Sequence, residues 1–469
     1  MNEGVSGRYP RLVIAGASGD SGKTLVSLGL SLFARRRGAE VGAFKKGPDF
    51  IDAAWLSWAS GRPARNLDTF LMGFATARSS FLRHGSPEGL NIIEGNRGLY
   101  DGLDASGTHS TAELAKALQA PVVLVLNATK VTRTAAALVL GCQTLDPDVR
   151  LGGVILNRVA GQRHERVLRD SVENVCGIPV LGAIPKIQGS TPLPGRHLGL
   201  LTPQEHAGLA DLREHIARAC SDHLDVQGLM DLATSSPRLA ADTPGRSRAN
   251  GNTPATIGYL SDSAFSFYYP ENLEALEAEG ARLVPISPLS GRSVPEDLDA
   301  LYIGGGFPET HAGALSENRA WLEDLRRLVG NGLPVYAECG GLMFLSQAIL
   351  WDNKRYSMAG VLPFEVEVFR APQGHGYTEL VVDAPNPFFP EGTRLKGHEF
   401  HYSRIVDSCA PPATVCRVER GTGCFPGRDG VVQGNVWASY THLHALASPE
   451  WAPALVDVAG RFAVKRKRR

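Results

Sequence analysis

The chain is poor in sulfur and has no excess charge of either sign. It holds seven cysteines and five methionines in 469 residues. The cysteines are odd in number, scattered, and nowhere form a Cys-x-x-Cys pair, which argues against a disulfide framework or a structural zinc site. With 48 Lys and Arg against 48 Asp and Glu, no net field draws the chain to nucleic acid or to an anionic membrane. The local basic run Lys465-Arg-Lys-Arg-Arg469 reads as a solvated tail rather than a nucleic-acid contact. No apolar run is long enough to span a bilayer, and the first residues lack the apolar core of a secretory signal. These absences predict a soluble, cytoplasmic protein without nucleic-acid or membrane partners. What the chain has is core material: 43% of its 469 residues are hydrophobic, enough for two or three domains.

One stretch organises the first half: Ala17-Ser-Gly-Asp-Ser-Gly-Lys-Thr24. It follows the apolar run Leu12-Val-Ile-Ala15 and precedes a helical pattern with Leu25, Leu28 and Leu32 on one face. Strand, Gly-rich turn, Lys-Thr and helix form the setting of a phosphate-binding loop. The backbone N–H groups of Ser18, Gly19, Asp20, Ser21 and Gly22 would face the phosphates of ATP. Lys23 would reach the β- and γ-phosphates, and the Thr24 hydroxyl would ligate Mg²⁺. Two residues depart from the usual pattern: Ala17 stands where Gly is commoner, and Asp20 where a neutral side chain would repel phosphate less. A short strand ending in a charged loop is expected over 41–52, and further Val/Ile/Leu runs at 90–94, 121–126, 151–157 and 178–184 alternate with helical stretches, which predicts a parallel sheet covered on both faces. Polar loops gather after the strands, where such sheets bind ligands. There Asp49, Asp52, Glu94 and Asp101 are candidate Mg²⁺ carboxylates, with Asp49 and Glu94 foremost. Lys45 and Lys46 can neutralise charge on phosphoryl oxygens. Asn157, at a strand end, is placed to read an adenine edge.

Residues 233–254 lose all apolar periodicity and read as a linker. A second α/β pattern then begins, with strands expected at 255–260, 282–286, 298–303 and 334–337 and hairpin-like stretches from Tyr356 to Tyr440. Pro334-Val-Tyr-Ala-Glu-Cys-Gly-Gly-Leu342 reads as strand, sharp turn and a helix over 342–350. A thiol on that elbow, Cys339, is a candidate nucleophile, its pKa lowered by the helix N-terminus. The Gly340 N–H can serve an oxyanion hole, with a second donor from the turn Gly304-Gly-Gly-Phe-Pro-Glu309, at Gly305. His442, in Ser439-Tyr-Thr-His-Leu-His444, is the candidate base, and His444 approaches the same face if the strand continues. Gly397-His-Glu-Phe-His-Tyr-Ser403 is not a zinc motif, because two histidines three apart on a strand face opposite sides.

An ATP-binding unit joined to a Cys/His elbow resembles the glutamine-dependent amidotransferases. The stretches 44–52, Glu94 with 98–102, 196–200, 304–309, 338–341, 397–403 and 439–444, in collinear order, resemble the cobyrinic acid a,c-diamide synthase family of corrinoid amidotransferases. The resemblance implies an α/β protein with two folds. The first is an N-terminal P-loop, dethiobiotin-synthetase-like parallel-sheet domain (1–232). The second, after the linker, is a C-terminal class I glutamine amidotransferase-like domain (255–469). It implies ATP with Mg²⁺, L-glutamine and a cobyrinic acid-type corrinoid as ligands, amidation of the a and c acetates, and room for a homodimer. Two departures follow. Asn96-Arg97 stands where the family has small apolar residues. His444 stands where class I glutaminases carry the Glu that orients the base, which leaves the orienter of His442 open. Cobyric acid synthase, an enzyme amidating a nickel sirohydrochlorin, and a nucleotide switch with an inert glutaminase-like domain share the same elements. The stretches 46–52 and 398–403 favour the a,c enzyme, and the retained Cys339 and His442 speak against the switch.

Overall fold

A computed structural model describes residues 7–186, 203, 205–206, 208–239, 255–408 and 412–468. The chain divides into two compact units, Met1–Gly245 and Arg246–Arg469.

Among the described residues, the first unit holds seven strands: β1 (Arg11–Gly16), β2 (Val41–Lys46), β3 (Arg65–Leu67), β4 (Leu90–Gly98), β5 (Val122–Asn127), β6 (Leu151–Val159) and β7 (Val180–Pro185). They pair in the order β3-β2-β4-β1-β5-β6-β7, and every pairing is parallel. Successive strand residues point to opposite faces, and both faces are buried as the continuous apolar runs predict. Val13, Leu124 and Leu156 join one core cluster, while Leu12, Ile14, Val123 and Val125 join another. Strands β2, β3 and β4 lie to one side of β1 and β5, β6 and β7 to the other, so the loop after β1 opens where the sheet order divides. That loop leads into α1 (Lys23–Arg36), and β2 leads into α2 (Phe50–Ser60).

Two strands run further than the sequence indicates. Lys45 and Lys46 lie within β2, and β4 continues to Gly98, so Glu94 is a strand residue rather than a loop residue. The ladder explains this: Lys45 pairs with Glu94, and Gly16 pairs with Gly98 beyond it.

The expected linker is shorter than 233–254 in its described part. Ala233 is buried in the helix Val226–Thr234, and Leu239 is fully buried in the core of this unit. Ser236 Oγ donates to the Arg11 carbonyl (3.0 Å), and an Arg11 guanidinium N–H donates to the Pro237 carbonyl (2.8 Å). Residues 240–254 lie outside the described residues, as does the motif at 196–200.

The second unit contains β8 (Thr256–Leu260), β9 (Arg282–Ile286), β10 (Ala300–Ile303), β11 (Val335–Glu338), β12 (Ala348–Trp351), β13 (Lys354–Ser357), β14 (Phe364–Val368), β15 (Gly374–Val382), β16 (Arg394–His401), β17 (Ser403–Ser408), β18 (Thr414–Arg420), β19 (Arg428–Gln433), β20 (Val436–Ser439) and β21 (His442–Leu443). Ten of them form a mixed sheet in the order β21-β16-β15-β18-β19-β20-β11-β10-β8-β9, and four form a second sheet, β13-β12-β14-β17. The parallel half runs from β20 to β9; the antiparallel half supplies β21 and β16. The core is aromatic, with Tyr302, Tyr336, Trp437 and Trp451 buried together. The helix after the elbow is shorter than the predicted 342–350. It spans Gly340–Leu345, because Ala348–Trp351 pairs as a strand with β13 and β14 instead. A short apolar run fits either element, and the available edge decides.

Candidate functional site

In the first unit, Ser18, Gly19 and Asp20 form the exposed tip of the loop after β1, and Ser21 and Lys23 are buried beneath it. Gly22 has φ 102°, and a Cβ there would lie 2.1 Å from Asn157 Nδ2, so both conformation and space require glycine. Lys23 Nζ donates to the carbonyls of Arg97 (2.7 Å) and Ser18 (3.3 Å), spanning the loop. Thr24 Oγ1 donates to Glu94 Oε1 (2.8 Å).

Asn157 donates from Nδ2 to the Ser21 carbonyl (2.8 Å). The structure thus uses this amide to brace the phosphate loop from β6. Lys45 is also engaged. Its ammonium is fully buried and donates to Asp52 Oδ2 (2.5 Å), Glu94 Oε1 (2.9 Å) and the Gly95 carbonyl (3.3 Å). Burial pulls this lysine down, but Asp52, Glu94 and Asp49 together outweigh it and raise its pKa. An ammonium has three N–H donors, and Lys45 has three acceptors, so it acts as a strut for Glu94. Lys23 is the lysine carried by the phosphate loop itself. Asp49 caps α2, its Oδ1 accepting from the N–H groups of Ile51 (3.0 Å) and Asp52 (2.9 Å).

Among the described residues, no group of three or more His, Cys, Asp or Glu side chains is placed to hold a metal. A phosphate-bound Mg²⁺ does not need one, because it takes one or two protein oxygens and fills its octahedron with phosphate and water. Thr24 and Glu94 suit that role: Glu94 is fully buried, and its Oε2 has no hydrogen-bond partner. Burial raises the Glu94 carboxyl, against the pull of Lys45.

In the second unit, Cys339 is the elbow between β11 and the helix Gly340–Leu345, with φ 48° and ψ −101°. This is strained backbone for a residue with a Cβ. It is held by the Cys339 N–H donating to the Ser439 carbonyl of β20 (2.7 Å). The thiol is buried, and burial raises its pKa, with Glu309 next in effect; the Gly340 N–H opposes this but does not prevail. The expected lowering by the helix N-terminus is therefore corrected: a helix of six residues cannot offset the desolvation of a thiolate.

The glycine turn at 304–306 touches both the elbow and the histidine. A Cβ on Gly340 would lie 3.0 Å from Gly306 N, and a Cβ on Gly305 would lie 2.4 Å from His442 Cε1. The turn at 304–306 thus lies against both the elbow at Gly340 and the His442 ring. His442 pairs with His398 across β21 and β16, and their rings stack at 4.9 Å. Burial pushes the His442 imidazole down to about 3.

The sequence did not identify Glu338 as part of this site. Its Oε2 lies 3.8 Å from His442 Nδ1. Its Oε1 accepts from the Leu443 N–H (3.0 Å), and its Oε2 accepts from the Tyr302 hydroxyl (3.1 Å). Burial pushes its carboxyl up to about 8. The signal was adjacency: the residue before Cys339 shares the end of β11, which pairs with β20 just before His442. His444 turns elsewhere. Its Nδ1 accepts from the Leu446 N–H (3.1 Å), its Nε2 lies 3.8 Å from Glu271 Oε2, and its ring packs on Tyr269. His401 stacks on Tyr440.

A phosphate loop with a Thr/Glu pair in one unit and a Cys/His elbow in the other define a nucleotide-binding glutamine amidotransferase. Comparison with known proteins agrees. Residues 12–200 match the CobQ/CobB/MinD/ParA nucleotide binding domain, and residues 256–450 match the CobB/CobQ-like glutamine amidotransferase domain. The chain is 43% identical over 453 residues to the cobyrinate a,c-diamide synthase of Magnetococcus marinus, covering 96% of this chain and 97% of that one. It is 42% identical to the synthase so named from Syntrophotalea carbinolica (96% and 98% covered). It is 40% identical to that of Archaeoglobus fulgidus (96% and 97% covered). The chain belongs to the cobyrinate a,c-diamide synthase family.

Proposed function

We propose that this chain is an ATP- and glutamine-dependent carbon–nitrogen ligase. It converts the a and c acetate carboxylates of cobyrinic acid, or of hydrogenobyrinic acid, into amides in cobalamin biosynthesis. The observation that carries this is that one chain of this family holds both chemistries: Lys23 and Thr24 beside Glu94, and Cys339 beside the turn that touches His442. We assign residues 1–232 to the ligase step and 255–469 to the glutaminase step.

A carboxylate resists ammonia because its charge is delocalised and hydroxide leaves poorly. Phosphoryl transfer from ATP to the corrin carboxylate gives an acyl phosphate. The loop N–H groups and Lys23 hold the phosphates in line for that transfer. Thr24 and the open Oε2 of Glu94 would hold Mg²⁺, which when bound neutralises phosphate charge. Lys45 and Asp52 keep Glu94 in place.

In the glutaminase step, Cys339 Sγ attacks the amide carbon of glutamine as its proton passes to His442. Burial holds the thiol up and the imidazole down. The resting pair is therefore neutral, and the proton moves with the attack rather than before it. The oxyanion meets the Gly340 N–H and a donor from the turn at 304–306. Collapse transfers the proton from His442 to the leaving nitrogen and leaves a glutamyl thioester, which water hydrolyses to glutamate. Glu338, with its Oε2 beside Nδ1, orients the His442 ring. Ammonia then attacks the acyl phosphate and inorganic phosphate leaves. Ammonia is mostly protonated at neutral pH, so transit sheltered from bulk water keeps it nucleophilic. A cytoplasmic setting agrees with these co-substrates and with the free thiols at Cys142, Cys176, Cys220, Cys339, Cys416 and Cys424.

The test is to supply ATP, Mg²⁺ and either glutamine or ammonium with candidate tetrapyrroles, and to count added amides by mass spectrometry. Two amides on cobyrinic acid are expected. Cys339→Ala should lose the glutamine-driven product and keep the ammonium-driven one, whereas Lys23→Ala should lose both. Amides on another tetrapyrrole and none on cobyrinic acid would overturn the substrate assignment.

A further inference from the structure

One buried acid near the elbow has no part in the chemistry above. Glu309 is the second residue of the short turn Pro308–His311, which follows the glycine turn, and only 6% of its surface is exposed. Its Oε2 is buried with no hydrogen-bond partner, and no Lys, Arg or His forms an ion pair with it among the described residues. The residue before it, Pro308, packs on the elbow: its Cδ lies 3.0 Å from where a Cβ on Gly340 would sit. Of the charged groups acting on the Cys339 thiol, Glu309 is the strongest, ahead of Glu338 and Glu399. Glu309 thus follows directly on a residue that packs against the Cys339 elbow.

A buried carboxylate without a partner is expensive and is normally matched by a cation or a proton. Burial already pushes this carboxyl up to about 7, so at neutral pH the arrival of a cation tips it to its ionised form. The glutaminase substrate brings one: three carbons separate the amide carbon that Cys339 attacks from the α-ammonium of glutamine. We propose that Glu309 binds the α-ammonium of glutamine, and that this contact selects the free amino acid over other primary amides. This rests on the assignment of Cys339 as the glutaminase nucleophile. The carboxylate and ammonium neutralise each other inside the site, and the same contact holds the glutamyl thioester while ammonia departs.

The test compares L-glutamine with glutaramic acid, which is glutamine without its amino group. Hydrolysis of both is followed in the wild type, Glu309→Gln and Glu309→Asp. A site built to bind a charged group discriminates strongly against a substrate lacking it. Glu309→Gln should lower kcat/KM for glutamine about 100-fold, chiefly through KM, and change glutaramic acid by no more than about twofold. Glu309→Asp, which keeps the charge at shorter reach, should lose about tenfold on glutamine only. A wild-type melting temperature and near-UV circular dichroism spectrum report an intact fold in each variant. Equal losses on both substrates, or no loss on glutamine, overturn the proposal. Glutamine hydrolysis surviving in Cys339→Ala would instead overturn the nucleophile assignment beneath it.

Discussion

Gly305→Ala isolates the geometry of the base with the smallest possible change. A Cβ at Gly305 would meet His442 Cε1 at 2.4 Å, Nε2 at 3.3 Å and Nδ1 at 3.4 Å. Carbon atoms in contact sit roughly 3.5–4.0 Å apart. The methyl group therefore requires the imidazole, or the turn itself, to shift by about 1 Å. His442 has little room to yield, because it stacks on His398 and is fully buried. Overpacking of this kind costs about 1–3 kcal/mol, which a large chain tolerates. A 1 Å misplacement of a reacting group costs roughly 100-fold in rate. Glutamine hydrolysis should fall by about that factor, while ammonium-driven amidation, which needs neither residue, persists. Gly460→Ala serves as the matched control: its Cβ would meet nothing within 4 Å, and it lies inside the helix Trp451–Lys467. That control should be neutral or slightly stabilising. Glutamate release and amide formation with each nitrogen source are the two assays. A Gly305→Ala variant hydrolysing glutamine within about threefold of wild type would refute the placement of His442 against this turn.

Three further outcomes follow. Glu94→Gln should raise the Mg²⁺ concentration needed for half-maximal activity by about tenfold and weaken Mn²⁺ binding in the presence of ATP, read by electron paramagnetic resonance; unchanged Mn²⁺ affinity would remove Glu94 from the metal site. Glu338 keeps its proton up to about pH 8 in the native state but loses it near 4.5 when unfolded. Its contribution to stability therefore declines as pH rises between those values. The melting temperature of Glu338→Gln, relative to wild type, should accordingly be more favourable at pH 8 than at pH 5, and an equal difference at both would refute the raised carboxyl. His442→Ala should lower thioester formation from labelled glutamine by about 1,000-fold. His444→Ala should cost about tenfold, acting only through packing against Tyr269 and Glu271; the reverse order would mean the two roles are exchanged.

Both centres of the molecule were legible because each is short-range. A phosphate loop is eight consecutive residues between a strand and a helix, and a nucleophile elbow is a strand end followed by glycines. Local spacing alone sets where their N–H groups point. The parallel sheet of the first unit was equally readable, since strands buried on both faces must be continuously apolar. Tertiary structure decided what depends on residues far apart. Glu338 reaches His442 across the β11–β20 pairing, and Asn157 reaches Ser21 from β6. The register of β2 on β4 turns Lys45 inward against Glu94, making a strut of a residue that looked free to meet phosphate. Protonation states belonged to the fold as well. Cys339 and His442 stand in a sequence context that suggests a ready thiolate, yet burial raises the thiol pKa and lowers that of the imidazole. Desolvation is the sum of everything packed around a group, and no stretch of chain encodes that sum by itself.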